Sequence, residues 1–303
     1  MQTPPRQIER RPARNTPDAP ERQPLIIVVC GMKGVGKTHF SVEEINKYVS
    51  GTQDREARKA LILDFSEDDM YAHYPAVHPK YVRSLKEFRG RRILPYEVDG
   101  KPYTLEKMKD TAEYVIFNYK NGLLVLEDID KYLTGVQGKS LIGALTTNRH
   151  SGLDILITHQ SLSKVTQNEW QNAAFLRLHH QLDQIDRLND GRLPNYPLLK
   201  ISQIIVDRRY YKAVEDFEDQ IIGEKEFIKR RSFFVHVNMF NHKIVGCDKP
   251  EFDSAAMRFV RENYTAISKR MKIGDEQGNI ISREDAMQRL LKKYKMYYGG
   301  EAE

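Results

Sequence analysis

Residues 25–38, LIIVVCGMKGVGKT, limit what this chain can fold into more than any other stretch. An unbroken apolar run of strand length, rich in β-branched residues, stops at a glycine-spaced loop that ends in Lys37 and Thr38. That spacing is the P-loop pattern G-x-x-x-x-G-K-[ST], opened by Gly31. Its glycines let backbone N–H groups turn inward around phosphate oxygens. Gly31, Lys33, Gly34, Val35, Gly36 and His39 are the candidates for that cradle. Lys37 would reach the β and γ phosphates of a nucleotide, and the Thr38 hydroxyl would ligate Mg²⁺. The loop predicts a helix over residues 39–48, whose N-terminal dipole adds to the anion site. A glycine-rich turn with a stray lysine is the bland alternative, and it leaves the strand in front and the helix behind unexplained.

The chain has 303 residues, 40% hydrophobic and 30% charged, enough for one large α/β domain plus an appendage or for two modest domains. The first is the expectation. A net charge of +6 with pI near 9.0 permits a nucleic-acid partner without requiring one. Cys30 and Cys247 cannot build a disulfide framework, and no Cys/His cluster has zinc-finger spacing, which points to a reducing, intracellular compartment. No apolar run approaches the roughly 20 residues of a membrane span, and the N-terminus lacks a signal-peptide core. The expected location is the cytoplasm, with no membrane partner.

Residues 1–23 carry Pro4, Pro5, Pro12, Pro17 and Pro20 among arginines and read as a disordered basic tail. After the P-loop helix, residues 61–63 form a second buried-type strand closed by Asp64, a competitor for the magnesium-binding role. Glu67, Asp68 and Asp69 read as a solvated acidic loop, and residues 93–96 as a short edge strand around Pro95. Helical spacing over 104–119 and the Asn121-Gly122 turn lead to LLVL at 123–126, then Glu127 and Asp128. This is the stronger Walker B candidate: a strand buried on both faces, with two acids at its C-terminal end facing the ligand crevice. The order Glu then Asp reverses the usual one, so which acid serves the metal and which the attacking water stays open. Glu127 is assigned to the metal and Asp128 to the base, with both kept as metal and catalytic candidates and Asp130 as an outsider.

Residues 140–150 read as a helix closed by Gly152, and 153–157 as a strand running into Thr158, His159 and Gln160. Gln160, at the tip of a strand beside Walker B, would sense the γ-phosphate or hold the lytic water. A strand over 175–179, a helix over 199–211 and a hairpin from 232–237 and 243–245 follow. Asp253 is expected to cap a helix with Met257, Val260, Tyr264, Ile267 and Met271 on one face. Ser282 and Asp285 resemble a capping box before a last helix with Leu290, Leu291 and Tyr294 inward and lysines outward. The chain thus divides into the tail (1–23), an ATPase-like core (24–214), a strand or hairpin extension (215–250) and a small helical C-terminal appendage (251–303). Tyr294, Tyr297 and Tyr298 on a basic face could meet nucleic acid or a neighbouring subunit, though a solvated basic face is the commoner explanation.

The order of these elements places an extra strand between the two Walker strands, the layout of the additional-strand ATPase division of P-loop NTPases: an α/β fold with a central, mostly parallel sheet flanked by helices. More narrowly, residues 148–160, NRHSGLDILITHQ, resemble the FtsK/HerA group of DNA-pumping ATPases. There, an arginine-containing helix end, a glycine and an apolar strand closing on Thr-x-Gln follow Walker B at about this interval. The resemblance covers residues 24–211 and is strongest to the viral genome-packaging ATPases of the group. It implies ATP and Mg²⁺ as cofactors, Lys37 and Thr38 on the nucleotide, Glu127 and Asp128 as Walker B and Gln160 as sensor. It makes Arg149 a candidate finger acting on a neighbour's nucleotide. It also implies a homo-oligomeric, usually hexameric ring that threads DNA, with a portal or capsid protein as a further partner, in host cytoplasm or at a procapsid vertex. The rival is an assembly or switch ATPase acting on protein partners. A small-molecule kinase fits poorly with a distant Walker B and a sensor glutamine.

Overall fold

The computed structural model describes residues 24–53, 56–132, 143, 151–188 and 193–301. Strands β1 (Ile26–Cys30), β4 (Gly122–Leu126) and β5 (Leu153–His159) are buried at every position. Their continuous apolar runs are what a parallel strand needs when helices cover both faces. With β2 (Lys59–Leu63), β3 (Gly90–Ile93) and β6 (Phe175–His179), all six run parallel. The sheet continues through β7 (Phe234–Asn238) and β8 (Lys243–Val245), each antiparallel to its predecessor, to β9 (Tyr298–Gly300). The spatial order is β3-β2-β4-β5-β1-β6-β7-β8-β9.

β5 lies between the P-loop strand and the Walker B strand, with Ile157 opposite Val28 on one side and Leu126 on the other. The fold is therefore that of the P-loop NTPases with the additional strand. Because β1, β4 and β5 share one direction, Gly31, Glu127 and Gln160 emerge at the same rim, where ligands of open α/β sheets bind.

One face of the sheet is covered by α1 (Lys37–Ser50), whose Ile45 and Tyr48 pack on Val29, Ile62 and Leu156. The other face carries α2 (Leu105–Asn118) over β2, β4 and β5. A short α3 (Gln167–Asn172) precedes β6, and α4 (Tyr196–Glu218) crosses beneath β6 and β7. Beyond α5 (Glu224–Arg231) and the β7–β8 hairpin come α6 (Lys249–Glu262), α7 (Tyr264–Ile273) and α8 (Arg283–Lys295). Phe252, Phe259, Ile267 and Leu291 of these last helices join Val28, Leu178 and Val237 of the sheet in one core.

Three local expectations change. The edge strand ends at Ile93, so Pro95 falls in a loop where its missing N–H breaks no ladder. Asp248, not Asp253, caps α6: its carboxylate accepts from the Glu251 N–H at 2.7 Å, and Pro250 fits the first turn. The single amphipathic helix expected over 253–271 is two, because Asn263 ends α6 and caps α7. The tail over 1–23 and, apart from Gly143, the helix over 140–150, Arg149 included, lie outside the described residues. Among the described residues no helix is long and apolar enough to cross a membrane.

Candidate functional site

The loop after β1 has the backbone that its glycines allow. Gly34 and Gly36 stand at φ +83° and +81°, the left-handed region that glycine enters without penalty. Gly31 is fixed by space: a Cβ there would stand 2.6 Å from the His179 Cβ. The loop is tied to neighbouring strand ends by Gly31 N–H to the His159 carbonyl (3.2 Å) and Met32 N–H to the His180 carbonyl (2.9 Å). Gly36 begins α1 with no side-chain cap, which leaves the helix's first N–H groups for an anion. Lys37 is nearly buried, and its Nζ donates to the carbonyls of Gly31 (2.6 Å) and Met32 (3.1 Å). Burial lowers its pKa against the opposing pull of Asp128 and Glu127.

Next to Lys37, the Thr38 hydroxyl lies 3.1 Å from Asp68 Oδ2 and 3.3 Å from Glu127 Oε1. Asp68 thus departs from the solvated loop expected of it; the chain after β2 folds back over the P-loop helix and turns this carboxylate inward. Asp64, the competitor, instead pairs with Arg92 at 3.0 Å and accepts from the Asp68 N–H, bracing that turn. Glu127 is buried, with Oε2 accepting from the Tyr71 hydroxyl at 2.8 Å. Burial pushes its pKa up, the Tyr71 bond resists and Asp128 adds to the rise, for a value of about 7. A hydroxyl with two carboxylates is the hard-oxygen set that Mg²⁺ takes, completed by substrate phosphates. Among the described residues no three His, Cys, Asp or Glu side chains would hold a metal by themselves.

Asp128 turns the chain sharply at φ +45°, its N–H donating to the Thr158 hydroxyl at 2.7 Å. The turn sends its carboxylate to Lys131 at 2.9 Å rather than to Thr38. Asp130 faces β5, where its Oδ1 lies 2.9 Å from His159 Nδ1; His159 Nε2 lies 3.3 Å from the buried Glu169. Burial pulls the His159 pKa down, yet the two carboxylates outweigh it and hold the imidazole at about 9, protonated with both ring nitrogens donating. The Gln160 N–H makes a long contact, 3.4 Å, to Asp130 Oδ2, and its side chain is exposed.

Lys33, Gly34, Gly36, Lys37, Thr38, His39, Glu127, Asp128 and Gln160 surround one cleft of about 610 Å³, of ordinary size for a small-molecule site. Gly31 and the buried Val35 form the loop beneath it. Sequence reasoning missed Asp68, Tyr71 and the Asp130–His159–Glu169 triad. An acidic run directly after a buried strand beside Walker B was a usable signal for Asp68; nothing local marked Glu169.

No family model and no curated protein matches this sequence. Solved structures are similar in fold. The genome packaging NTPase B204 from Sulfolobus turreted icosahedral virus 2, in complex with ATP-gammaS, is 14% identical over 73% of this chain and 95% of its own, with a TM-score of 0.43. The N-terminal domain of zonular occludens toxin from Neisseria meningitidis is 14% identical over 52% of this chain and 76% of its own, with a TM-score of 0.30. The Legionella pneumophila ATPase DotB is 14% identical over 70% of this chain and 62% of its own, with a TM-score of 0.33.

Proposed function

We propose that this chain is a Mg²⁺-dependent ATPase that works as a ring of copies to translocate DNA, as a viral genome-packaging motor. The observation that carries the ATPase reading is the meeting of Lys37, Thr38, Asp68 and Glu127 at the rim where β5 also delivers Gln160. Loop N–H groups and the start of α1 bind the phosphates, and Lys37 exchanges its carbonyl partners for β- and γ-phosphate oxygens. Thr38, Glu127 and Asp68 would hold Mg²⁺, whose charge would offset that of the phosphates. Asp128, at the cleft surface, accepts the proton of a water that Gln160 orients for in-line attack on the γ-phosphate, with ADP leaving.

The translocation reading rests on the Walker B to Thr-x-Gln pattern and on the +6 charge. Arg149 of an adjoining copy would complete the site, and a portal or capsid protein would receive the ring. ATP hydrolysis by the purified chain, with and without linear DNA and beside Lys37→Ala, tests it. The expected result is turnover that rises several-fold with DNA and is lost in the variant. Turnover indifferent to single- and double-stranded DNA would replace the motor by an ATPase acting on protein partners.

A further inference from the structure

Next to the P-loop, on the side away from Glu127, a second cavity of about 640 Å³ opens between α4, α5 and β7. It adjoins the loop directly: Ser232 Oγ lies 2.9 Å from where a Cβ on Gly36 would stand, and Phe40, in the first turn of α1, forms part of its wall. Three phenylalanines, Phe40, Phe233 and Phe234, line it among charged side chains. Phe40 and Phe234 meet edge to face, with centroids 4.5 Å apart, and Phe233 carries the Arg209 guanidinium 4.9 Å above its ring.

Of the four cations that line this cavity, Arg209, Lys212 and Arg230 are paired within the chain, and Lys229 is the fourth. Arg209 makes a two-pronged pair with Glu251 at 2.7 and 2.8 Å. Lys212 is held by Glu215 and Asp216, each at 3.0 Å, and Arg230 by Asp216 and Glu226 at 3.0 and 2.7 Å. Arg231 differs: its guanidinium lies 3.7 Å from where a Gly34 Cβ would stand, and its Nε is buried with no hydrogen-bond partner. An anion finds unspent charge on the loop side, at Lys37 and Arg231. The cavity offers three phenylalanine rings and, Lys229 apart, paired charge, which suit a flat aromatic group.

We infer that this slot receives the purine base of the nucleotide whose phosphates lie on the P-loop, with Phe40, Phe233 and Phe234 as its stacking surfaces. The inference rests on the nucleotide-binding reading of residues 31–38 and extends it to the part of the nucleotide that distinguishes ATP from bare polyphosphate. Stacking on an aromatic face is worth about tenfold or more in affinity for a base.

Photolabelling of the wild-type chain with 8-azido-ATP, followed by peptide mapping, tests the slot without any substitution. Label that saturates, is blocked by inorganic tripolyphosphate and falls on the peptides containing Phe40 or Phe233 is the expected result; saturable label confined to other peptides overturns the inference. Calorimetry gives the second arm. ATP should bind about tenfold more tightly than tripolyphosphate, and Phe233→Ala should remove that advantage while tripolyphosphate binds as before. Equal affinities in the wild type overturn the slot and leave the P-loop reading standing. Failure of both ligands to bind, or indifference of both to Lys37→Ala, overturns the nucleotide reading and the slot with it.

Discussion

Two buried acidic clusters stand side by side at the tips of β4 and β5, and they are stabilised in opposite ways. In one, Glu169 and Asp130 clasp a protonated His159, so the chain supplies its own cation and the group is complete when the protein folds. In the other, Glu127 and Asp68 converge on a hydroxyl, and among the described residues no basic side chain forms an ion pair with either. Burial, with Asp128 adding to it, raises the pKa of Glu127, whereas next door the hydrogen bond and charge of His159 overcome burial and lower that of Glu169. Like charges gathered in a buried place without a counter-ion reduce stability. Under the proposed function, an incoming Mg²⁺ would supply the missing counter-ion.

Substitution of Glu127 should separate the two clusters most sharply. Glu127→Gln, like Lys37→Ala, is expected to lower ATP turnover at least about a hundredfold, yet to leave unfolding free energy unchanged or raised, since it removes a costly buried charge. Denaturant unfolding beside a turnover assay reads both quantities; a large stability loss in Glu127→Gln would make this corner a structural ion pair like its neighbour. Glu169→Gln should do the reverse to the fold, costing about 3–5 kcal/mol by leaving the imidazolium half-paired in the interior.

The two clusters should also differ in pH response. The His159 pKa lies at about 9 in the fold against an ordinary value near 6.5. Its contribution is therefore complete below about pH 6.5 and is lost as pH rises through about 9. Wild type should lose about 3 kcal/mol over that window relative to His159→Gln, measured by urea unfolding at both ends. Parallel curves for the two proteins would mean that the triad carries no proton of its own. The smallest effect concerns Asp68. Asp68→Asn should raise the Mg²⁺ concentration needed for half-maximal turnover about tenfold, with stability held within about 1 kcal/mol.

Much of the frame was legible along the chain because its signals are contiguous. The run 26–30, the P-loop and the LLVL strand each state their element within a few residues, and parallel strands buried on both faces tolerate little else. The position of β5 followed from the order of the elements: P-loop strand, acid-ended strand, distant Walker B strand and then the strand that ends in glutamine. Helix limits were harder. Asp253 is expected as a cap in sequence, yet α6 begins earlier, at Lys249, and packs Phe252 and Phe259 into the core beside β6–β8.

By itself, the sequence determined that a phosphate-binding loop joins a buried strand to a helix, that Glu127 and Asp128 close another strand, and that Gln160 closes the strand between. Those statements concern neighbours in the chain, where propensity and spacing act directly. Only the tertiary structure decided which acid meets Thr38, because the left-handed turn at Asp128 sends one carboxylate inward and its neighbour to Lys131. It also decided that Asp68, 30 residues from Thr38, completes that corner, that Glu169 makes His159 a cation, and that Arg231 and Ser232 lie against Gly34 and Gly36. Contacts of that kind depend on how helices pack across the sheet, and no local pattern records them.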